Sequence, residues 1–303
     1  MNIRRSLSIG LLVSLALFGA ACGSKKKAIE TTVPAATEAT VATVGAETTV
    51  APAAVKTTVS GPSAAAVKTR DAGKLTVCSD IPYAPFEYYE NGADGKVVGI
   101  DADIVGAVAT SLGLASEFRK TPFDGIFAAL AARQCDMIAS SVSITDERKK
   151  SNDFSDPYFT IHQSILVHSS DAALNDLTAL EGKTVGVQSA TTGADFAKKD
   201  ASADGYTVKE FQGADELVTA LKAKQIDAVV QDSPINGYAA TKSNGELVVS
   251  KVFEGAGEGY GFVVPKDNPD LTAALNAALA KMKADGSYET ILKQYLGEAA
   301  ATA

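Results

Sequence analysis

An alternation of short apolar runs with helix-period segments, played twice, limits this chain to few folds. LTVCSD (75–80) reads as a strand. IDADIVGAVATSLG (100–113) sets Ile100, Ile104, Val108 and Leu112 four apart, the stripe of an amphipathic helix. FDGIFAALAARQ (123–134) is a second helix and CDMIASS (135–141) a second strand. From Gly182 the plan restarts, with KTVGVQS as strand, a helix near 193–200, DELVTALKAKQ as helix and IDAVVQD as strand. Such alternation predicts α/β sheets with parallel members.

The halves echo one another. GKLTVCSD (73–80) lines up with GKTVGVQS (182–189), and LAARQCDMIASS (130–141) with LKAKQIDAVVQD (221–232). Asp80 then matches Ser189, and Ser141 matches Asp232, all at carboxyl ends of predicted strands, where open α/β sheets bind ligands. Two such lobes face to face would line one cleft with polar groups; chance similarity of short strings is the alternative. YGFVVP (260–265) follows as a strand. Asn268 and Pro269 then make a helix start, with Asn268 as N-cap, and SYETILKQYLG closes the domain. These last helices need the first lobe to pack on, so the chain is expected to cross between lobes twice, near 160–164 and 256–261.

The first 70 residues stand apart. Arg4 and Arg5, an apolar run from Leu7 to Phe18 and small residues before Cys22 have the plan of an export signal. The run is shorter than the ~20 residues of a membrane-spanning helix. Its end resembles a bacterial lipobox, with Gly19 where leucine is usual, which implies lipidation at Cys22 and anchoring outside the cell membrane. A plain signal peptide is the alternative. Residues 23–70, rich in Thr, Ala, Val and Pro, have no helix or strand period and too few large apolar side chains to offset their ordering entropy. The expected organisation is a leader over 1–22, a tether over 23–70, lobe 1 over 71–160 and 262–298, and lobe 2 over 161–261.

A formal charge of −8 without tryptophan argues against nucleic acid as a partner. Cys78 and Cys135 are candidates for a disulfide in an extracytoplasmic compartment; two buried thiols are the alternative.

SSVSITDERKKSNDFSDPYF (140–159) carries the densest chemistry. Thr145 is a good N-cap, placing Arg148 in a helix's first turn, where a cation is disfavoured unless it meets an anion. With Ser141 and Ser143 it forms a candidate carboxylate pocket, or it pairs with Asp146 or Asp153 on the surface. VQSATTGADF (187–196) offers Thr191 and Thr192 to the same anion. Asp232 either accepts an ammonium or starts the turn before Ser233 and Pro234.

These stretches, in order over residues 73–297, resemble the extracytoplasmic polar-amino-acid-binding proteins of ABC importers. The resemblance implies a two-lobed periplasmic-binding-protein fold of type II: in each lobe a mixed, mostly parallel sheet flanked by helices, with two crossover strands joining the lobes. It also implies roles. Arg148, with Ser143 and Thr192, takes the ligand carboxylate; Asp232, with Ser141 nearby, takes the ammonium. Tyr83 and Phe123 sandwich the side chain, and Asp80 reads its far end beside Gln188. Ser140 and Thr191 complete the expected lining. Ala190 departs from the family's usual glycine. An acid at the far end repels an acidic side chain, so Arg, Lys, ornithine, His or Gln are the expected ligands. The partners implied are the free amino acid, the ABC permease subunits and, through the lipid, the membrane. A monomer is expected.

The same fold resembles cyclohexadienyl dehydratases, the rival reading, which needs a poised general acid in the cleft; the candidate carboxylates, Asp80, Glu87 and Asp232, already serve as ligand partners or structural groups. There is no G-x-S-x-G and no P-loop, and His162 and His168 lie six apart with no Cys-x-x-Cys nearby, so no cofactor or metal is expected. A receptor's sensor module is disfavoured, since no membrane-spanning pattern follows residue 297.

Overall fold

Two five-stranded sheets are joined by a pair of crossing strands in the computed structural model, which describes residues 67–92 and 95–297. The export signal, Cys22 and the tether as far as residue 66 lie outside the described residues. The first sheet runs Ala115–Lys120, Lys74–Ser79, Met137–Ile138, Val263–Pro265, Asn152–Phe154. Its first three strands are parallel, and Val263–Pro265 is antiparallel to both neighbours. The second runs Thr207–Phe211, Thr184–Gln188, Ala228–Asp232, Gln163–His168, Leu247–Val252, again parallel over its first three strands. Between the sheets, Phe159–Ile161 pairs antiparallel with Glu258–Tyr260.

The helix stripe read from sequence does what its spacing demands. Ile100, Ile104, Val108 and Leu112 are all buried, packed in one core with Leu75 and Val77 of the sheet and Leu271, Leu275 and Leu279 of the helix Pro269–Asp285. The second lobe buries Leu217 and Leu221 of the helix Ala214–Lys222 against Leu166 and Val229. Each such side chain contributes ~1.5–3 kcal/mol through loss of apolar surface to water.

Four expectations need correction. The strand expected over 135–141 is only Met137–Ile138, because Ser141 adopts φ 49 and turns the chain out of the ladder. The single strand expected over 260–265 is two: Tyr260 pairs in the crossing ribbon, while Val263–Pro265 enters the first sheet. Asn268 does not cap its helix with its side chain. Its amide instead holds the incoming chain, accepting from Lys68 N (3.4 Å) and donating to Lys68 O (2.9 Å). Arg70 N also donates to Asp136 Oδ1 at 2.6 Å, so contacts with the domain begin before residue 71.

Cys78 and Cys135 form a disulfide, their Cα atoms 5.7 Å apart and 57 residues apart in sequence. Closing a loop of that length stabilises a fold by ~4 kcal/mol, mainly through the unfolded chain. The Cys78→Ala/Cys135→Ala double variant is therefore expected to melt roughly 10 °C lower. Equal melting temperatures in calorimetry would show that the bridge contributes no stability.

Candidate functional site

The strand ends of both sheets meet at one tightly closed cavity of about 10 Å³, room for roughly a single water. It is lined by all eleven residues singled out from sequence: Asp80, Tyr83, Phe123, Ser140, Ser141, Ser143, Arg148, Gln188, Thr191, Thr192 and Asp232.

At one end stands Arg148. Thr145 caps the helix Asp146–Ser151, its Oγ1 accepting from Arg148 N at 3.2 Å. The side chain does not pair with Asp146 or Asp153 on the surface; it turns into the cleft. Nη1 donates to Ser143 O (2.8 Å) and Nη2 to Ala190 O (3.1 Å), while the guanidinium carbon lies 5.4 Å from the ring centres of both Phe123 and Phe127. Burial lowers the guanidinium pKa, opposed by Glu258, Asp232 and Asp195, and an arginine so placed keeps its charge. Ser143 Oγ and Thr192 Oγ1, from opposite walls, are 3.3 Å apart. Thr191 caps the helix Thr192–Asp204, accepting from Ala194 N at 3.1 Å, so this helix presents its amino end to the cavity.

Ala190 adopts φ 62, in the left-handed region, at ~1 kcal/mol for a residue with a Cβ. The Ala190→Gly variant is expected to gain about 0.5–1 kcal/mol and melt a few degrees higher, since the Arg148 bond is to backbone and survives. A lower melting temperature would refute strain at this turn.

At the other end Asp232 is buried and accepts three bonds: from Tyr83 Oη (2.9 Å), Gln163 Nε2 (2.6 Å) and Tyr260 Oη. It stands at the N-cap position of the helix Ser233–Lys242 but makes no side-chain cap, which leaves the carboxylate to the cavity. Burial raises its pKa, and the two phenols and the amide counteract that. Asp80, on the first lobe, accepts from Gln188 Nε2 of the second at 2.6 Å. Burial pushes its carboxyl up to about 6, against the Gln188 bond and the Lys120 charge.

Four polar residues about the site, Gln163, Tyr260, Glu258 and Asp101, escaped sequence reasoning as contributors, and Glu87 entered it only as a candidate general acid. Gln163 and Tyr260 hold Asp232 from the crossing ribbon and its continuation, and Glu258 accepts from the same Gln163 amide at 3.3 Å. Glu87 and Asp101 form a buried acidic pair behind Ser140 and Ser141. Glu87 follows Phe86 in PFEYY, and a glutamate embedded in an apolar, aromatic run was the signal available for it.

A model of the bacterial extracellular solute-binding proteins, family 3, matches residues 75–298. The histidine-binding periplasmic protein of Salmonella typhimurium is 31% identical over 241 residues, 77% of this chain and 91% of that protein. An ancestral arginine-binding protein bound to arginine superposes with a TM-score of 0.69 at 38% identity, covering 74% of this chain and 99% of that one. An ancestral amino acid-binding protein, a precursor of cyclohexadienyl dehydratase, gives 0.66 at 33% identity, over 74% and 95%.

Proposed function

We propose, because this chain belongs to the bacterial extracellular solute-binding proteins of family 3, that it captures a free polar amino acid outside the membrane and delivers it to an ABC permease. The observation that carries this reading is the set of charges lining the cavity: one cation, Arg148, held by Ser143 O and Ala190 O, and two carboxylates, Asp232 and Asp80, held by separate partners. An amino-acid carboxylate matches Arg148 with Ser143 and Thr192, and its ammonium matches Asp232 with Ser141. A second positive charge on the side chain matches Asp80, between Tyr83 and Phe123. Two acids against one base favour a ligand of net positive charge, hence Arg, Lys or ornithine first, then His or Gln.

Closure follows from the same contacts. Tyr83 with Asp232, Asp80 with Gln188, and Arg148 with Ala190 each join the two walls. A ligand bridging both walls binds the closed arrangement better than an open one and shifts the population toward it. The first lobe, taken as 71–160 and 262–298, would swing against 161–261 about the crossing ribbon, and the permease would read the closed form. Lipidation at Cys22 would keep the protein at the membrane; mass spectrometry of the mature N-terminus tests that.

Thermal unfolding against the twenty amino acids and ornithine tests the ligand class. A ligand at 100 times its Kd stabilises by ~2.7 kcal/mol. The expected shift is confined to Arg, Lys, ornithine, His and Gln. A shift with Glu or Asp alone would refute the role given to Asp80. The dehydratase alternative, prompted by the resemblance to that enzyme's ancestor, is decided by assaying prephenate turnover; a rate above the uncatalysed one would overturn the capture reading.

The Asp80 carboxyl adds a pH dependence. Its folded pKa, about 6, lies above its ordinary value, so the free protein favours the protonated acid and loses this contribution to stability as pH rises through 6. A cationic side chain favours the ionised form, so its binding releases a proton below that pH. L-Arginine is expected to bind more weakly from pH 7 to pH 5, approaching tenfold per unit below 6, and L-glutamine to weaken less. Titration calorimetry showing equal slopes for the two ligands would contradict this.

A further inference from the structure

Behind the cavity, Glu87 and Asp101 are both wholly inaccessible. Ser140 Oγ accepts the Asp80 N–H (2.9 Å) and lies 2.9 Å from Glu87 Oε1; Ser141 Oγ lies 3.4 Å from Glu87 Oε2. Asp101 holds the same turn from the other side, Oδ2 accepting from Ser141 N (3.0 Å) and Oδ1 from Tyr158 Oη (2.6 Å). The groups facing Glu87 are thus two carboxylates, Asp101 and Asp80, two serine hydroxyls and, further off, the phenols of Tyr83 and Tyr158. Every charged group in that set is an acid.

A hydroxyl has one hydrogen, so its direction is a choice. An ionised Glu87 can only accept. It takes the hydrogens of both serines, and Ser141 is left with lone pairs for the cavity, where it can accept from a cation. A protonated Glu87 has an O–H to give. Donated to Ser141, it sends the serine's own hydrogen into the cavity, against an ammonium. We propose that Glu87 is the positioning residue for the ligand ammonium, setting through its protonation state whether Ser141 meets the cavity as an acceptor or as a donor. The inference rests on the amino-acid reading above and names a residue that does not itself line the cavity.

Burial and the neighbouring Asp101 both hold the Glu87 pKa well above the carboxylate range, opposed by the serine bonds, so a proton is available to be displaced. The balance is simple: an ammonium enters against Ser141 and Asp232, and Glu87 gives up one proton to solvent. Ammonium binding thereby strengthens as pH rises.

The test compares L-arginine with 5-guanidinopentanoate, the same molecule without the α-ammonium, by titration calorimetry from pH 5.5 to 8.5. Asp80 faces the guanidinium of both, so its titration cancels in the ratio of their dissociation constants. Any slope from Asp232 is common to wild type and Glu87→Gln, which keeps the amide donor permanently in place of the acid proton. In the wild type the preference for L-arginine should grow with pH. In Glu87→Gln it should be roughly tenfold smaller at pH 8 and lack that added slope, since one hydrogen bond to a charged group is lost. Equal ratios in the two proteins at every pH would overturn the proposal. If Glu87→Gln does not fold, Ser141→Ala takes its place: it should lose the same slope, and a wild-type slope in that variant would equally overturn it. A wild type that binds both molecules equally well removes the ammonium assignment along with this inference. A wild type that binds neither refutes the cationic amino-acid reading itself, and this inference with it.

Discussion

L-Arginine binding should weaken by roughly 150- to 5,000-fold when Arg148 is replaced by alanine, while the fold stays intact. Arg148 is the one cation among the cavity's lining residues, and it is held from both walls, by Ser143 O and Ala190 O. A ligand carboxylate brought into that enclosed space without it keeps only the hydroxyls of Ser143 and Thr192 and nearby amides. Leaving a buried charge unpaired costs ~3–5 kcal/mol, which converts to that range of Kd. Arg148→Lys should recover part of the loss, since an ammonium supplies charge without the two-pronged geometry. A calorimetric Kd for Arg148→Ala within threefold of wild type would show that the carboxylate binds elsewhere. The variant's own stability is expected to change little, because it also removes the desolvation of a buried cation.

Gly99→Ala should be the most damaging single change to the fold, at ~4 kcal/mol or more. Gly99 has φ 128 and ψ 176, a conformation essentially confined to glycine. A Cβ there would sit 2.1 Å from Phe86 O and 2.4 Å from Phe86 C, which are backbone atoms and cannot rotate aside. The approach is close because Phe86 O accepts from Asp101 N at 3.0 Å, locking the start of the helix Ile100–Ser111 to the segment that carries Glu87. Displacing that segment would disturb Tyr83 and Glu87 together, so ligand affinity should fall in whatever fraction remains folded. Denaturant unfolding of Gly99→Ala within 1 kcal/mol of wild type would mean that the turn relaxes in a way the present packing does not suggest.

How much was legible in the sequence divides along a physical line. The helix stripe from Ile100 to Leu112, the strands observed at 74–79, 184–188 and 228–232, the cap at Thr145 and the double α/β plan follow from periods of 2 and 3.6 residues and from capping chemistry. Those signals are local, so each can be read within a dozen residues. Asp80, Ser141, Ser143, Arg148, Thr191, Thr192 and Asp232 were legible for a related reason, at the ends of those elements, whereas Tyr83, Phe123, Ser140 and Gln188 entered only through the family resemblance of the motifs around them.

What only the tertiary structure decided is how distant residues meet. Tyr83 and Asp232 are 149 positions apart, Glu87 and Ser140 53, and Gln163 and Asp232 69. No periodicity carries across such gaps. Whether Arg148 turned into the cleft or onto the surface, and whether Cys78 and Cys135 joined, depended on how sheet and helix packed around them. Ser141, in its left-handed conformation, gives its N–H to Asp101 from another element. Local propensity proposes each element, and the burial of side chains from far along the chain determines which polar groups face one another, because a buried donor or acceptor must find its partner wherever packing puts one.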